Sequence, residues 1–258
     1  MAHTALITGA SAGIGAAFAR YHAAKGGDLI ITARRESALV SLKDELEKAH
    51  GVTVHVIAAD LASAAGPSQL IAAVDALQVR VDILINNAGF GGHGKHHQRA
   101  LDDELSMIDL NVKALVALTH HFAQKMIANG GGKILQVGST AGFLPGPNQA
   151  VYFATKNFVN AFSQAIDQEM RPFGVTSTVL APGYVETEFA DVANLHGTQM
   201  VKSGGASAES VAKIGYEAML KGQLVAINDP ALRILLRTVM PFLPTRLKLS
   251  VIERSQGK

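Results

Sequence analysis

The feature that most constrains this chain is a repeated alternation. Seven short apolar runs, at residues 3–8, 28–33, 52–57, 81–86, 133–138, 174–181 and 223–228, are separated by stretches with helical spacing. The runs are largely apolar rather than alternating in polarity, as strands buried on both faces of a parallel sheet are. Parallel neighbours need long crossovers, and helices supply them. After the first run, Ile14, Ala17, Phe18 and Tyr21 share one helical face before Gly26 and Gly27 end the pattern. The predicted fold class is α/β: a single doubly wound domain with a seven-stranded parallel sheet and helices on both faces. The chain has 258 residues, 48% of them hydrophobic, which suffices for one large core. The alternation spans residues 1–229, whereas residues 230–258 abandon it and read as a C-terminal extension.

Composition narrows the function classes. Cysteine is absent, which excludes a disulfide frame and thiolate metal sites and fits a reducing, cytoplasmic setting. Net charge is +2 with both signs interspersed, so no nucleic-acid patch is expected. The N-terminus shows no charged leader, and no apolar run approaches the about 18 residues of a membrane span.

Between the first strand and first helix lies "ITGASAGIGAAF", with Gly9, Gly13 and Gly15. Glycine permits positive φ and close approach of a ligand to the backbone, and the helix that follows offers free N–H groups to a pyrophosphate. The spacing is GxxxGxG, unlike the GxGxxG of the general dinucleotide fingerprint, and a tight turn without ligand is the competing reading. The second strand ends in Ala33, where an NAD site would place an acid, followed by Arg34 and Arg35. Two guanidinium groups without an acid suit a ribose 2′-phosphate, so the expected cofactor is NADP(H). Asp60, after the third strand, either caps the next segment or accepts from an adenine amino group.

Six motifs then occur in order: "TGASAGIG", "NNAG" (86–89), "LNV" (110–112), "VGS" (137–139), "YFATK" (152–156) and "PGYVET" (182–187). Together they resemble the short-chain dehydrogenase/reductase family, over residues 4–228, and within it a bacterial branch of unknown substrate. The resemblance implies a Rossmann fold and hydride transfer between NADP(H) and a carbonyl or secondary alcohol. It implies Tyr152 as proton donor or acceptor, Lys156 as the ammonium that favours its phenolate, and Ser139 as the group that orients the substrate oxygen. Asn111 would hold a water linking Lys156 to solvent. The cofactor would lie along Gly9, Ser11, Gly13, Ile14 and Gly15, then Arg34, Arg35, Asp60 and Leu61. It would continue past Asn87, Ala88 and Gly89, and Tyr152 and Lys156, to Pro182, Gly183, Val185 and Thr187. A phenol ordinarily titrates near 10, which is why a neighbouring ammonium is needed.

The resemblance also implies that residues 184–203 form a mobile lid, with Phe90, Phe143, Leu144, Tyr184, Phe189 and Met200 as an apolar pocket wall. No arginine falls in 139–155 or 181–203 to clamp a carboxylate, so a small, apolar carbonyl or alcohol is the expected substrate. His93, His96 and His97 form either a solvated loop or a substrate edge rather than a metal site, and His120-His121 reads as structural. The tail mixes leucines with Arg233, Arg237, Arg246, Lys248 and Arg254. Packing on the body or on a neighbouring subunit is preferred over reversible contact with a membrane surface. The expected assembly is a homodimer or homotetramer. Two other functions stay open: a dinucleotide sensor without turnover, and an enzyme resembling the sugar-nucleotide epimerases, which also use a Tyr-x-x-x-Lys pair.

Overall fold

The computed structural model describes residues 3–202 and 204–257 of the chain, with the side chain of Met200 outside the described set. Seven strands form one sheet: β1 (Ala5–Thr8), β2 (Leu29–Ala33), β3 (Val54–Ala58), β4 (Ile83–Asn86), β5 (Gly132–Val137), β6 (Val175–Leu180) and β7 (Val225–Ala226). Their order is β3-β2-β1-β4-β5-β6-β7, and every neighbouring pair is parallel. All seven expected runs are strands, though the last keeps only two paired residues.

Helices cover both faces. On one lie α1 (Gly13–Ala23) and α2 (Glu36–His50); on the other, α3 (Gly66–Ala76). Period-two geometry sorts the strand residues between them. Ala5 and Ile7 join the core under α1 and α2, while Leu6 joins Leu70 and Val74 of α3. Burial of each such aliphatic side chain stabilises by about 1.5–3 kcal/mol. Next come α4 (Leu101–Ile108), a π-helical turn at Asp109–Ala114, α5 (Leu115–Ala128) and the long α6 (Ala150–Met170). Two short helices, α7 (Phe189–Val192) and α8 (Gln199–Lys202), lie in the segment expected as a lid. An isolated bridge between Val185 and Ala206 closes that segment at its base. Then α9 (Ala208–Leu220) packs beside α1 through Val211, Ala212 and Tyr216.

The chain adds β2 and β3 to one side of β1 and then crosses to add β4 on the other. The reversal leaves a crevice beyond the carboxyl ends of β1 and β4, where such sheets bind ligands. Thr8 and Asn87 stitch its two walls together. The Thr8 hydroxyl accepts from the N–H groups of Asn87 (3.0 Å) and Ala88 (2.9 Å), and the Asn87 amide donates to the Thr8 carbonyl (2.9 Å).

The tail is helical and packed on the body. It contains α10 (Pro230–Ile234), a π turn at Leu235–Val239, a 3₁₀ turn at Met240–Phe242 and α11 (Thr245–Gln256). Pro230 takes the first helical position, and the Asp229 carboxylate caps the amides of Ala231 and Leu232. Ile252 is buried with Met107, Tyr152 and Phe153. Its outer face leaves Ile234, Phe242 and Leu247 exposed. No helix among the described residues is long and apolar enough to cross a membrane.

Candidate active site

The crevice is a cleft of about 840 Å³. At one end it is bordered by the turn from Gly9 to Ile14. Gly9 has φ +67° and Gly13 +53°, conformations that cost other residues strain. Ala12, the residue before α1, makes no side-chain cap, and the first helical turn carries no acid. The first N–H groups of α1 and its positive end are thus free for an anion. Gly15 does not line the cleft. A Cβ there would lie 2.2 Å from the Gly9 carbonyl oxygen, so this glycine lets helix and turn close on each other.

Ala33, Arg34 and Arg35 border the same end. Arg34 is exposed and has no partner among the described residues. Arg35 instead forms a two-pronged ion pair with Glu188 of the lid segment (2.7 and 3.2 Å), and also donates to the Ser11 hydroxyl. The Asp60 carboxylate caps the Ala62 amide (3.1 Å) and also borders the cleft beside Leu61. Asn87, Ala88 and Gly89 form the floor, with Pro182, Gly183, Val185 and Thr187 opposite. The uncapped helix end, the free Arg34 and the absence of an acid at position 33 together fit a dinucleotide with a phosphorylated ribose.

At the far end stand Ser139, Tyr152 and Lys156, brought together by α6. This helix carries a polar stripe, unusual in being buried: Tyr152, Lys156, Asn160, Ser163 and Asp167. Four of these groups bond to β5, β6 or the residues just after β5. Lys156 Nζ donates to the Val137 carbonyl (2.8 Å), Asn160 to that of Ser139 (3.1 Å), Ser163 pairs with Ser177, and Asp167 accepts the Ser177 amide. Repeated i, i+4 spacing from Tyr152 to Lys156 to Asn160 aims all three at the strand ends. The Ser139 hydroxyl accepts from the Ala141 amide (3.1 Å), which leaves its O–H to donate toward Tyr152 or a ligand oxygen.

Burial governs the charges here. It pushes the Tyr152 phenol up to about 12, with the Ser139 hydroxyl opposing the rise. It also pulls the Lys156 ammonium down to about 8. The expected lowering of the phenol by Lys156 is not seen in the free protein. Nζ lies 5.9 Å from the ring centroid and is turned toward the Val137 carbonyl, so desolvation of the phenolate wins.

Asn111 sits in the π turn between α4 and α5 and is buried behind the cleft. Its amide donates to the Phe90 carbonyl (2.9 Å) and the Thr155 hydroxyl (3.1 Å), and its Oδ1 accepts the Phe90 amide (3.1 Å). A water relay has no amide donor left to use. Oδ1 keeps one lone pair on the side of Gly89, whose missing side chain would also meet Lys156 Nζ.

Of the expected apolar wall, Phe90, Leu144, Tyr184 and Phe189 line the cleft. Phe143 does not, because it ends a 3₁₀ turn and only Leu144 beyond it reaches the cavity. The expectation for the Met200 side chain lies outside the described residues. Gly91 was not singled out from the sequence, yet its missing Cβ leaves room for Phe189 and Tyr152 to pack at 5.5 Å. The tail supplies the remaining wall through Leu232, Leu235, Leu236, Met240 and Ile252. The histidine loop is tied rather than free: His93 Nε2 pairs with the Gln256 carbonyl (2.7 Å), and His96 lies 3.5 Å from Glu104. His121 meets Asp75 and the edge of Phe122, a structural role as expected. Among the described residues, no group of three His, Asp or Glu side chains gathers to hold a metal.

Comparison with known proteins agrees with this geometry. The family model for short chain dehydrogenases matches residues 3–196. The chain is 39% identical over 214 residues to a sulfoacetaldehyde reductase of Chromohalobacter salexigens, covering 81% of this chain and 79% of that protein. Among solved structures, a short-chain dehydrogenase from Sphingobium yanoikuyae in complex with NADPH is 30% identical, with a TM-score of 0.83 over 94% of this chain and 96% of that one. A short-chain dehydrogenase/reductase from Burkholderia phymatum in complex with NAD is 26% identical, with a TM-score of 0.82 over 93% of each chain.

Proposed function

The chain belongs to the short-chain dehydrogenase/reductase family and is a hydride-transfer oxidoreductase acting on CH–OH or C=O groups, and from that premise we propose that it is an NADP(H)-dependent reductase of small apolar carbonyl compounds. The observation that carries this reading is the convergence of Ser139, Tyr152 and Lys156 at the apolar end of a cleft whose other end carries Arg34.

The nicotinamide, when bound, supplies the hydride. The protein would hold its pyrophosphate at the start of α1 and its 2′-phosphate at Arg34. Arg35 would join once released from Glu188. Ser139 donates to the substrate oxygen and fixes its direction. Tyr152 stays protonated at neutral pH, since burial holds it near 12, and so it acts as the proton donor in reduction. Lys156 uses one N–H on the Val137 carbonyl and keeps two donors for a ribose. When substrate and cofactor exclude water, its ammonium is the charge that favours the phenolate left after transfer. Asn111 fixes the Phe90 loop against α6 through Thr155 and offers its remaining lone pair to a proton relay.

The relative from Chromohalobacter is named for an anionic aldehyde. In the present cleft, the cations Arg34 and Arg35 lie at the cofactor end, and the substrate end offers Leu144, Phe153, Phe189, Leu236 and Ile252. An apolar substrate suits those walls better. The exposed apolar residues Leu101, Leu105 and Phe158 of α4 and α6 support association with further copies of the chain. Steady consumption of NADPH with a panel of aldehydes, ketones, keto acids and ketoses tests the proposal. Turnover led by apolar ketones is expected; turnover led by a keto acid, or none at all, refutes it.

A further inference from the structure

The apolar walls of the cleft are interrupted by a polar notch at Gln149 and Gln256. Gln149 lies at the N-terminal end of α6, one turn before Tyr152, and lines the same cavity. It is 3% exposed, and its Nε2 donates to Oε1 of Gln256, the last residue of α11, which is 4% exposed. Gln149 Oε1 has no partner in the protein. Turning both amides over exchanges donor and acceptor within the pair, yet one Gln149 amide atom stays unpaired either way. An unpaired amide atom shut away from water is costly unless something comes to meet it.

The notch is assembled from three distant parts of the chain. Gln256 is held a second time through its carbonyl, which accepts from His93 in the loop after β4. Gln149 Oε1 stays unpaired on a side chain that lines the cavity beside Leu144, Phe153, Met240 and Ile252.

We propose that Gln149, oriented by Gln256, binds a hydroxyl group of the substrate a few bonds from the carbonyl that Tyr152 protonates. A hydroxyl both donates and accepts, so it satisfies either amide orientation. Gln149 and Tyr152 both line the cavity, so the hydroxyl falls on the same bound molecule as the carbonyl. The substrate class is then a hydroxy-ketone with an apolar remainder, or the matching diol in the reverse direction. This inference rests on the reductase reading above.

The test measures kcat/KM for a medium-chain methyl ketone and for the same ketone with a hydroxyl walked along its chain. Wild type, Gln149→Leu and Gln256→Leu are compared, with Tm recorded for each. Wild type should favour one hydroxyl position by about tenfold, the usual worth of one such hydrogen bond. Gln149→Leu should lose that preference while reducing the plain ketone at least as well, and Gln256→Leu should keep part of it. Gln149→Met carries the same comparison if the leucine variant does not fold. Equal wild-type kcat/KM for the plain and all hydroxylated ketones overturns the subsite and leaves the reductase reading standing. A preference that survives in a folded Gln149 variant overturns it too, as does equal loss of both substrates, which would make the pair a fastener. No NADPH consumption with any carbonyl overturns both readings together.

Discussion

Replacing Arg34 with alanine should weaken NADPH binding by about 1.5–3 kcal/mol, the range for hydrogen bonds to charged groups. That is about 10- to 150-fold in Kd, with the lower part of the range expected because Arg34 is exposed and partly screened. Arg35 should matter less. Its guanidinium already grips Glu188 across the cleft mouth, with both side chains more than half exposed, and it must leave that pair to reach a phosphate. An exposed pair is worth about 0–1 kcal/mol, which offsets part of what Arg35 could contribute. Glu188→Gln should therefore tighten NADPH binding by up to about fivefold. Titration calorimetry with NADPH and NADH, at low and high salt, reads all three variants. The signature is a loss for NADPH but not NADH in Arg34→Ala, shrinking as salt rises. An Arg34→Ala protein that loses both cofactors equally, or neither, would refute the assignment of the 2′-phosphate to this corner.

Three further outcomes follow from the geometry. Lys156 is held near 8 in the free protein, so it loses its proton as pH rises through that value, while Tyr152 keeps its own until about 12. The alkaline limb of kcat/KM for reduction should therefore fall from about pH 8, and a limb that begins only near 12 would show that the ammonium is not required. The same shift has a stability sign. The folded pKa lies below the unfolded value, so the buried ammonium costs stability below about pH 8, and that cost fades as pH rises toward about 10.5. Gly15→Ala should lower Tm and abolish dinucleotide binding, because its Cβ would collide with the Gly9 backbone. Gly26→Ala, strained at φ +78° but free of contacts, should cost about 1 kcal/mol and leave binding intact. Among lengthening alkyl ketones, kcat/KM should rise about fourfold per methylene, from about 0.8 kcal/mol each, until the chain meets Leu236 and Ile252. Leu236→Ala should move that limit to a longer ketone, and a series unchanged by it would exclude the tail from the pocket.

What could be read from the sequence was local or periodic. Strand runs such as 28–33 and 81–86 announced themselves by continuous burial, and they are strands within a residue or two. The spacing of Tyr152 and Lys156 stands out, but their roles and that of Ser139 come from the resemblance of the ordered motifs; α6 and the end of β5 bring all three to the cleft. Asn160 could have been found the same way, since it continues the i, i+4 stripe of α6. Other parts depend on contacts that no local pattern encodes. The Gln149–Gln256 pair spans 107 positions and Arg35–Glu188 spans 153. The π turn that holds Asn111 came unannounced, since "LNV" reads like any helical triplet. The net rise of the Tyr152 phenol could not be read from its spacing to Lys156, because burial is a property of the whole fold. Family position puts Phe143 in the wall together with Leu144, but after the 3₁₀ turn that follows Ser139 only Leu144 reaches the cavity.

Tyr152→Phe separates proton transfer from binding in a single experiment. The substitution removes only the phenolic oxygen, keeping the ring against Phe153 and Phe189 and leaving Lys156 on the Val137 carbonyl. NADPH affinity by calorimetry and NADPH consumption with the best ketone are measured on the same preparation. Turnover lost by a factor of about 10²–10⁴, the usual contribution of a positioned acid, with NADPH affinity within about twofold of wild type, is the predicted result. A Tyr152→Phe enzyme that keeps wild-type kcat would contradict it and move the proton donor elsewhere in the cleft.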